Sequence, residues 1–142
     1  MINNLIMKSF TLSMLVLLLF SGCKKSMEKV AEDIVVKAMT DGQWKMTRFI
    51  ESGNDKTSDF STYKFQFYDN KTVDGIKNGS VEKSGTWNGD APSMSISANF
   101  TNATYPLTLI NGTWLITNNS WTFVEAKQTT GTEIKTLRLD KL

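Results

Sequence analysis

The sequence predicts an all-β domain, a small eight-stranded antiparallel up-and-down barrel preceded by one short amphipathic helix. Three observations predict it. The apolar period changes at Gly42, from helical spacing before it to alternation after it. Clusters of Asn, Asp and Gly recur between the alternating runs, as hairpin connections require. Aromatic residues reach 11% of the chain while Pro numbers only 2, a mixture suited to strands joined by tight turns.

The helix comes first. Met27, Val30, Ala31, Ile34, Val35 and Ala38 fall close to i, i+3, i+4, i+7, which makes one apolar face over about three turns. Glu28, Glu32 and Asp33 lie toward its start and Lys37 near its end, the order the helix dipole favours. Gly42 stops it. Strands are then expected at 43–51, 63–69, 72–77, 80–87, 93–100, 113–117, 121–127 and 133–140. In the clearest, Met94, Ile96, Ala98 and Phe100 alternate with Ser93, Ser95, Ser97 and Asn99, leaving one face apolar and the other wet. Tyr63, Phe65 and Phe67 alternate with Lys64, Gln66 and Tyr68, and Trp121, Phe123 and Glu125 with Thr122, Val124 and Ala126. Turns fall at Asp69-Asn70-Lys71, Asn78-Gly79, Asn88-Gly89-Asp90, Asn118-Asn119-Ser120 and Thr129-Thr130-Gly131. About eight local strands are best closed, because closure alone removes exposed sheet edges.

The first segment reads as an address. Lys8 is its single charge, and the run from Phe10 to Phe20 is mostly apolar but too short to cross a hydrocarbon core of about 30 Å at about 1.5 Å per residue. That is a signal-peptide pattern, with Met7 as well as Met1 a possible start. Phe20-Ser21-Gly22-Cys23 follows and resembles the lipobox cut by the lipoprotein signal peptidase. The resemblance implies that residues 1–22 are removed and that Cys23 carries lipid. Cys23 is the sole cysteine and has no disulfide partner in the chain. Residues 23–40 then form a tether and short helix, and 41–142 the barrel.

Gly42-Gln43-Trp44 opens the first strand after the helix, which resembles the G-x-W opening of lipocalins. YKFQFYDNKTV, SGTWNGD and the closing LRLDKL extend the likeness, so that residues 40–142 resemble the lipocalin-like lipoproteins of Bacteroidota. The resemblance implies that Trp44, entered through Gly42, plugs the closed end and that Arg138 on the last strand packs over it. It also implies a ligand site inside the barrel, for which the candidates are Tyr63, Phe65, Phe67, Met94, Ile96, Phe100, Trp121 and Phe123. Ser52 to Thr62, with Phe60 inside it, is long enough to fold over the open end as a lid.

Composition narrows the chemistry. Histidine is absent, which removes the side chain most used for proton transfer and for metals. Ser-His and Cys-His arrangements are therefore excluded. The acids Asp55, Asp59, Asp69, Asp74, Asp90 and Glu125 fall in turns or on outer faces, and no calcium-loop spacing occurs. No enzyme activity, cofactor or metal is expected. Lys+Arg at 16 against Asp+Glu at 14 gives no field to draw in nucleic acid. The expected location is the bacterial envelope, on the outer membrane and facing the periplasm, since Lys24 and Lys25 follow the cysteine and the first acid is Glu28. A monomer is expected. Two functions stay open: a barrel that binds a small apolar molecule or lipid, and a filled barrel that serves as a structural or protein-interaction module through aromatics such as Trp114 or Phe60.

Overall fold

The computed structural model describes residues 24–142; the signal segment, both candidate start methionines and Cys23 lie outside the described residues. Helix α1 occupies 24–40, followed by β1 (Gln43–Glu51), β2 (Asn54–Asp55), β3 (Tyr63–Phe67), β4 (Thr72–Lys77), β5 (Ser80–Asp90), β6 (Ser95–Asn99), β7 (Gly112–Asn119), β8 (Phe123–Thr130) and β9 (Glu133–Lys141). Two single-turn 3₁₀ helices, Thr57–Phe60 and Leu107–Ile110, interrupt the longest connections.

From β3 onward each strand pairs antiparallel with its sequence neighbour, and β9 returns to β1 from Trp44↔Lys141 to Glu51↔Lys135. Eight strands thus close into an antiparallel up-and-down barrel, with the two-residue β2 folded back on β1. Asn78 and Gly79 both take positive φ, 50° and 83°, the conformation that lets a two-residue hairpin follow the strand twist.

Inside and outside follow the pleat, adjusted by register shifts between Met46 and Arg48, between Gly75 and Ile76, and between Ile116 and Asn118. Trp44 and Met46 point inward, and strict alternation would send Arg48 after them. The register shifts between Met46 and Arg48, so Phe49 is buried instead while Arg48 stays exposed. The extra residue, Thr47, keeps a guanidinium out of an apolar core. The core is a single apolar cluster, and among the described residues no polar or charged residue is buried.

Glycines in the SGTWNGD segment permit close approach. A Cβ on Gly85 would stand 2.5 Å from the Asn99 carbonyl oxygen, and one on Gly89 2.6 Å from Val35 Cγ1 of α1. The first lets β6 bend over β5, and the second seats the helix on the rim.

Antiparallel order sorts the connections into two ends. The helix end holds α1, the turns at 68–71, 91–94 and 120–122, and the C-terminus. The far end holds 52–62, 78–79, 100–111 and 131–132.

Candidate functional site

Three tryptophans fix the covers of the barrel. Each is buried, and a buried indole N–H needs an acceptor. Trp44 donates to the Met39 carbonyl at 2.8 Å, which pins the end of α1. Trp87 donates to the Tyr68 carbonyl at 2.8 Å, which pins the turn after β3. Trp114 donates to the Ile110 carbonyl at 2.9 Å, which pins the second 3₁₀ turn.

The far end is sealed. β1 and β3 pair only at Gln43↔Gln66 and Trp44↔Phe65, and the segment 54–60 fills the opening beyond. Thr57 Oγ1 accepts from the Phe49 N–H at 2.9 Å, and Phe60 lies 5.1 Å from the Phe49 ring, centroid to centroid, with none of its surface exposed. Leu107 and Ile110 are buried beside it. Tyr105 donates its hydroxyl to Asp59 and so joins the two long loops across the opening. Ser52 to Thr62 is therefore an integral plug. Phe60 and Trp114, expected as outward-facing contact residues, are both core, Phe60 because it fills space that the strands leave empty and Trp114 because β7 turns it inward.

Between the covers remains a cavity of about 40 Å³ with a wholly apolar lining. A water needs roughly 10–15 Å³ measured this way, whereas small-molecule pockets occupy about 300–1,000 Å³. Phe65, Phe67, Ile96 and Phe100 line the cavity as the sequence suggested, together with Met46, Trp114, Val124, Leu137 and Leu139. Leu137 and Leu139 were readable from the alternation in LRLDKL. Tyr63 is buried but stands off the cavity, stacked at 6.4 Å on Phe65 with its hydroxyl donating to Glu82. Burial first, and then that bond, raises the Tyr63 pKa. The bond from Tyr63 holds the Glu82 carboxyl below its usual range, aided by Lys77 at 3.3 Å.

The remaining candidates lie outside. Met94 is 50% exposed with φ at 49°, in the turn before β6. Trp121 is 55% exposed in the turn before β8. Phe123 is on the outer wall, because β8 turns Val124 and Ala126 inward, the opposite phase to the one expected. Its ring is covered by the Arg138 guanidinium at 4.3 Å. Arg138 therefore does not cover Trp44; Lys141 does, with Nζ 5.2 Å from the ring centroid. The register explains this, since β9 sets Lys141 opposite Trp44 and Arg138 opposite Arg48. Gly42 takes φ 91° where α1 hands over to β1.

Arg138 organises the outer wall. It donates to Glu125 at 2.9 Å and to both oxygens of Asp140 at 2.8 and 2.9 Å, and Thr47 donates to the same Asp140. The Arg138 hydrogen bonds hold the Asp140 carboxyl below its usual range. An arginine that holds Asp140 ionised is the opposite of what an acid–base dyad needs. No cluster of three or more metal-ligating side chains occurs among the described residues. No described helix is long and apolar enough to cross a membrane.

A closed antiparallel up-and-down barrel of eight strands is an architecture found among lipocalins and other small barrels. Solved structures align with this chain, and the first shares its fold. The first is a DUF4847 family protein from Bacteroides vulgatus, at 12% identity and a TM-score of 0.53, with 75% of this chain and 96% of that chain covered. Another is Japanin from Rhipicephalus appendiculatus bound to cholesterol, at 8% identity and a TM-score of 0.49, with 74% and 77% covered. No protein-family model and no curated protein matches the sequence.

Proposed function

We propose that this chain is a lipid-anchored, non-catalytic barrel of the bacterial envelope, held on the outer membrane facing the periplasm, that works through its outer surface. One observation carries the choice of surface over interior: the cavity of about 40 Å³ is several-fold below what a small-molecule ligand occupies. The anchor is supported by the apolar run from Phe10 to Phe20 and by Ser21-Gly22-Cys23. The non-catalytic reading is supported by the lack of histidine and by acids that are paired or solvent-exposed. Titrating the protein with an apolar fluorescent probe, with native mass spectrometry alongside, tests the interior. No saturable uptake is expected, and one-to-one uptake that quenches the buried tryptophans would overturn it. Labelled palmitate tests the address, and Cys23→Ala is expected to abolish incorporation.

A second reading is favoured by the apolar lining. Met46 borders the cavity, and an unbranched thioether swings aside more readily than a branched side chain. A slim apolar guest that displaces Met46 would appear in the same titration, and Met46→Ala would then bind it more tightly.

A further inference from the structure

Helix α1 carries more apolar surface than the barrel uses. Val35 and Val36 pack against the core and Met39 is buried, yet Met27, Val30 and Ile34 are 72%, 56% and 51% exposed. These three stand at i, i+3 and i+7 and form one stripe. The first half of α1 leans off the rim: every residue from 24 to 30 is exposed, and a cleft of about 550 Å³ runs between Glu28, Glu32 and the turn at Ala91 and Pro92.

The same end of the barrel presents Met94, Trp121 and Leu142, all half or more exposed. Lys141 N–H donates to the Thr122 carbonyl and Leu142 N–H to the Gln43 carbonyl, which brings the C-terminus beside the Trp121 turn. The far end exposes Val81 on β5, Tyr105 in the 100–111 connection and Ile134 on β9, with no helical stripe.

We propose that the helix end is a membrane-docking face, on which the Met27–Val30–Ile34 stripe and Trp121 settle into the interfacial layer of a lipid bilayer. The proposal rests on the anchoring reading above and adds an orientation to it. Lys24, the first residue of the described helix, directly follows Cys23, so whatever holds Cys23 in a bilayer holds the start of α1 there with no slack. An amphipathic helix in that position lies with its apolar face toward the acyl boundary. Lys24, Lys25 and Lys29 border its first turns and match anionic headgroups. Tryptophan favours the same layer.

The four tryptophans make the test direct, because Trp44, Trp87 and Trp114 are buried and Trp121 is not. The full chain, processed in cells and purified with its lipid, is reconstituted into phosphatidylethanolamine–phosphatidylglycerol vesicles, with or without brominated acyl chains. Brominated lipid is expected to remove most of the Trp121 emission, and Trp121→Phe is expected to remove the quenchable component. Met27→Ser, Val30→Ser and Ile34→Ser together are expected to reduce quenching while the protein still floats with the vesicles. Flotation with Trp121 unquenched overturns the docking face and leaves the anchor standing. If Trp121 is then also shielded from aqueous acrylamide, a protein partner or a second copy covers that end instead. Failure to float, with Cys23 unmodified, removes the anchor and the docking face together.

Discussion

The two ends of this barrel are closed by different means. At the far end, Phe60, Leu107 and Ile110 sit inside the core and the loops that carry them are joined by Tyr105 and Asp59. At the helix end, α1 covers the opening with Val35, Val36 and Met39 and leaves Met27, Val30 and Ile34 in the open. The far-end opening is filled by buried side chains, whereas the helix that covers the other end leaves half of its apolar face in the open. A sealed end looks after stability, whereas an apolar face left uncovered marks contact with something else.

Substitutions can break or sharpen this contrast. The largest effect is expected from Phe60→Ala, about 3–5 kcal/mol of unfolding free energy by denaturant titration. Its counterpart at the helix end, Val35→Ala, removes a half-buried contact and is expected to lose about 1 kcal/mol or less. Equal losses would mean that α1 is as much a part of the core as the plug, and the contrast would be wrong. Between them falls Gly85→Ala, expected to lose about 1–3 kcal/mol. The new methyl meets the Asn99 carbonyl oxygen and the Phe100 ring. Gly89→Ala meets Val35 Cγ1 of α1 most closely, with the Trp87 ring at ordinary contact distance, so α1 should shift with less loss, visible as faster amide exchange confined to 28–38.

The smallest effect concerns the outer wall and pH. The Asp140 carboxyl is held below its usual range, chiefly by Arg138. Its contribution is therefore present in full above the ordinary carboxylate range and drains away as pH falls through that range toward the depressed value. Arg138→Met is expected to flatten this acid limb and to lower neutral-pH stability only slightly, since solvent screens a pair about one-third exposed. A thermal-melt series from pH 7 to about pH 3 reads both.

Much of the fold was legible in the sequence, for reasons tied to particular residues. The change of period at Gly42 located the helix and the start of the barrel, and Asp69-Asn70 and Asn78-Gly79 located the turns at either end of β4, whereas Asn88-Gly89-Asp90, expected as a turn, lies within β5, where Gly89 serves the approach of α1. Phe65, Phe67, Ile96 and Phe100 were identified as inward-facing by simple alternation. β8 was misjudged because Trp121 and Phe123 are its largest apolar residues, and hydropathy alone assigns such residues to the core. Phe123 lies outside because Arg138 shields its ring, a cross-strand contact that no window of consecutive residues displays. Lys141 replaced Arg138 over Trp44 for a similar reason, since the pairing of β1 with β9 depends on the bulge at Thr47. Phe60 and Trp114 looked available because they stood in or beside apparent loops. The 3₁₀ turn that carries Phe60, and the one whose Ile110 carbonyl accepts from Trp114, have no apolar period long enough to read.

One feature of the topology bears on how the molecule reaches its final form. Every wall of the barrel except one joins strands that follow each other in the chain, and the exception is the seam between β1 and β9. Hairpins of neighbouring strands assemble early, since short loops lose little entropy on closing. The seam has to wait for Leu137 and Leu139 on β9. A chain delivered from its N-terminus thus stays an open, edge-bearing sheet until β9 arrives. Lys45 on β1 and Lys127 on β8, the two strands left unpaired along one side until β9 joins them, put charge on the edges of that transient sheet and discourage pairing with a neighbour.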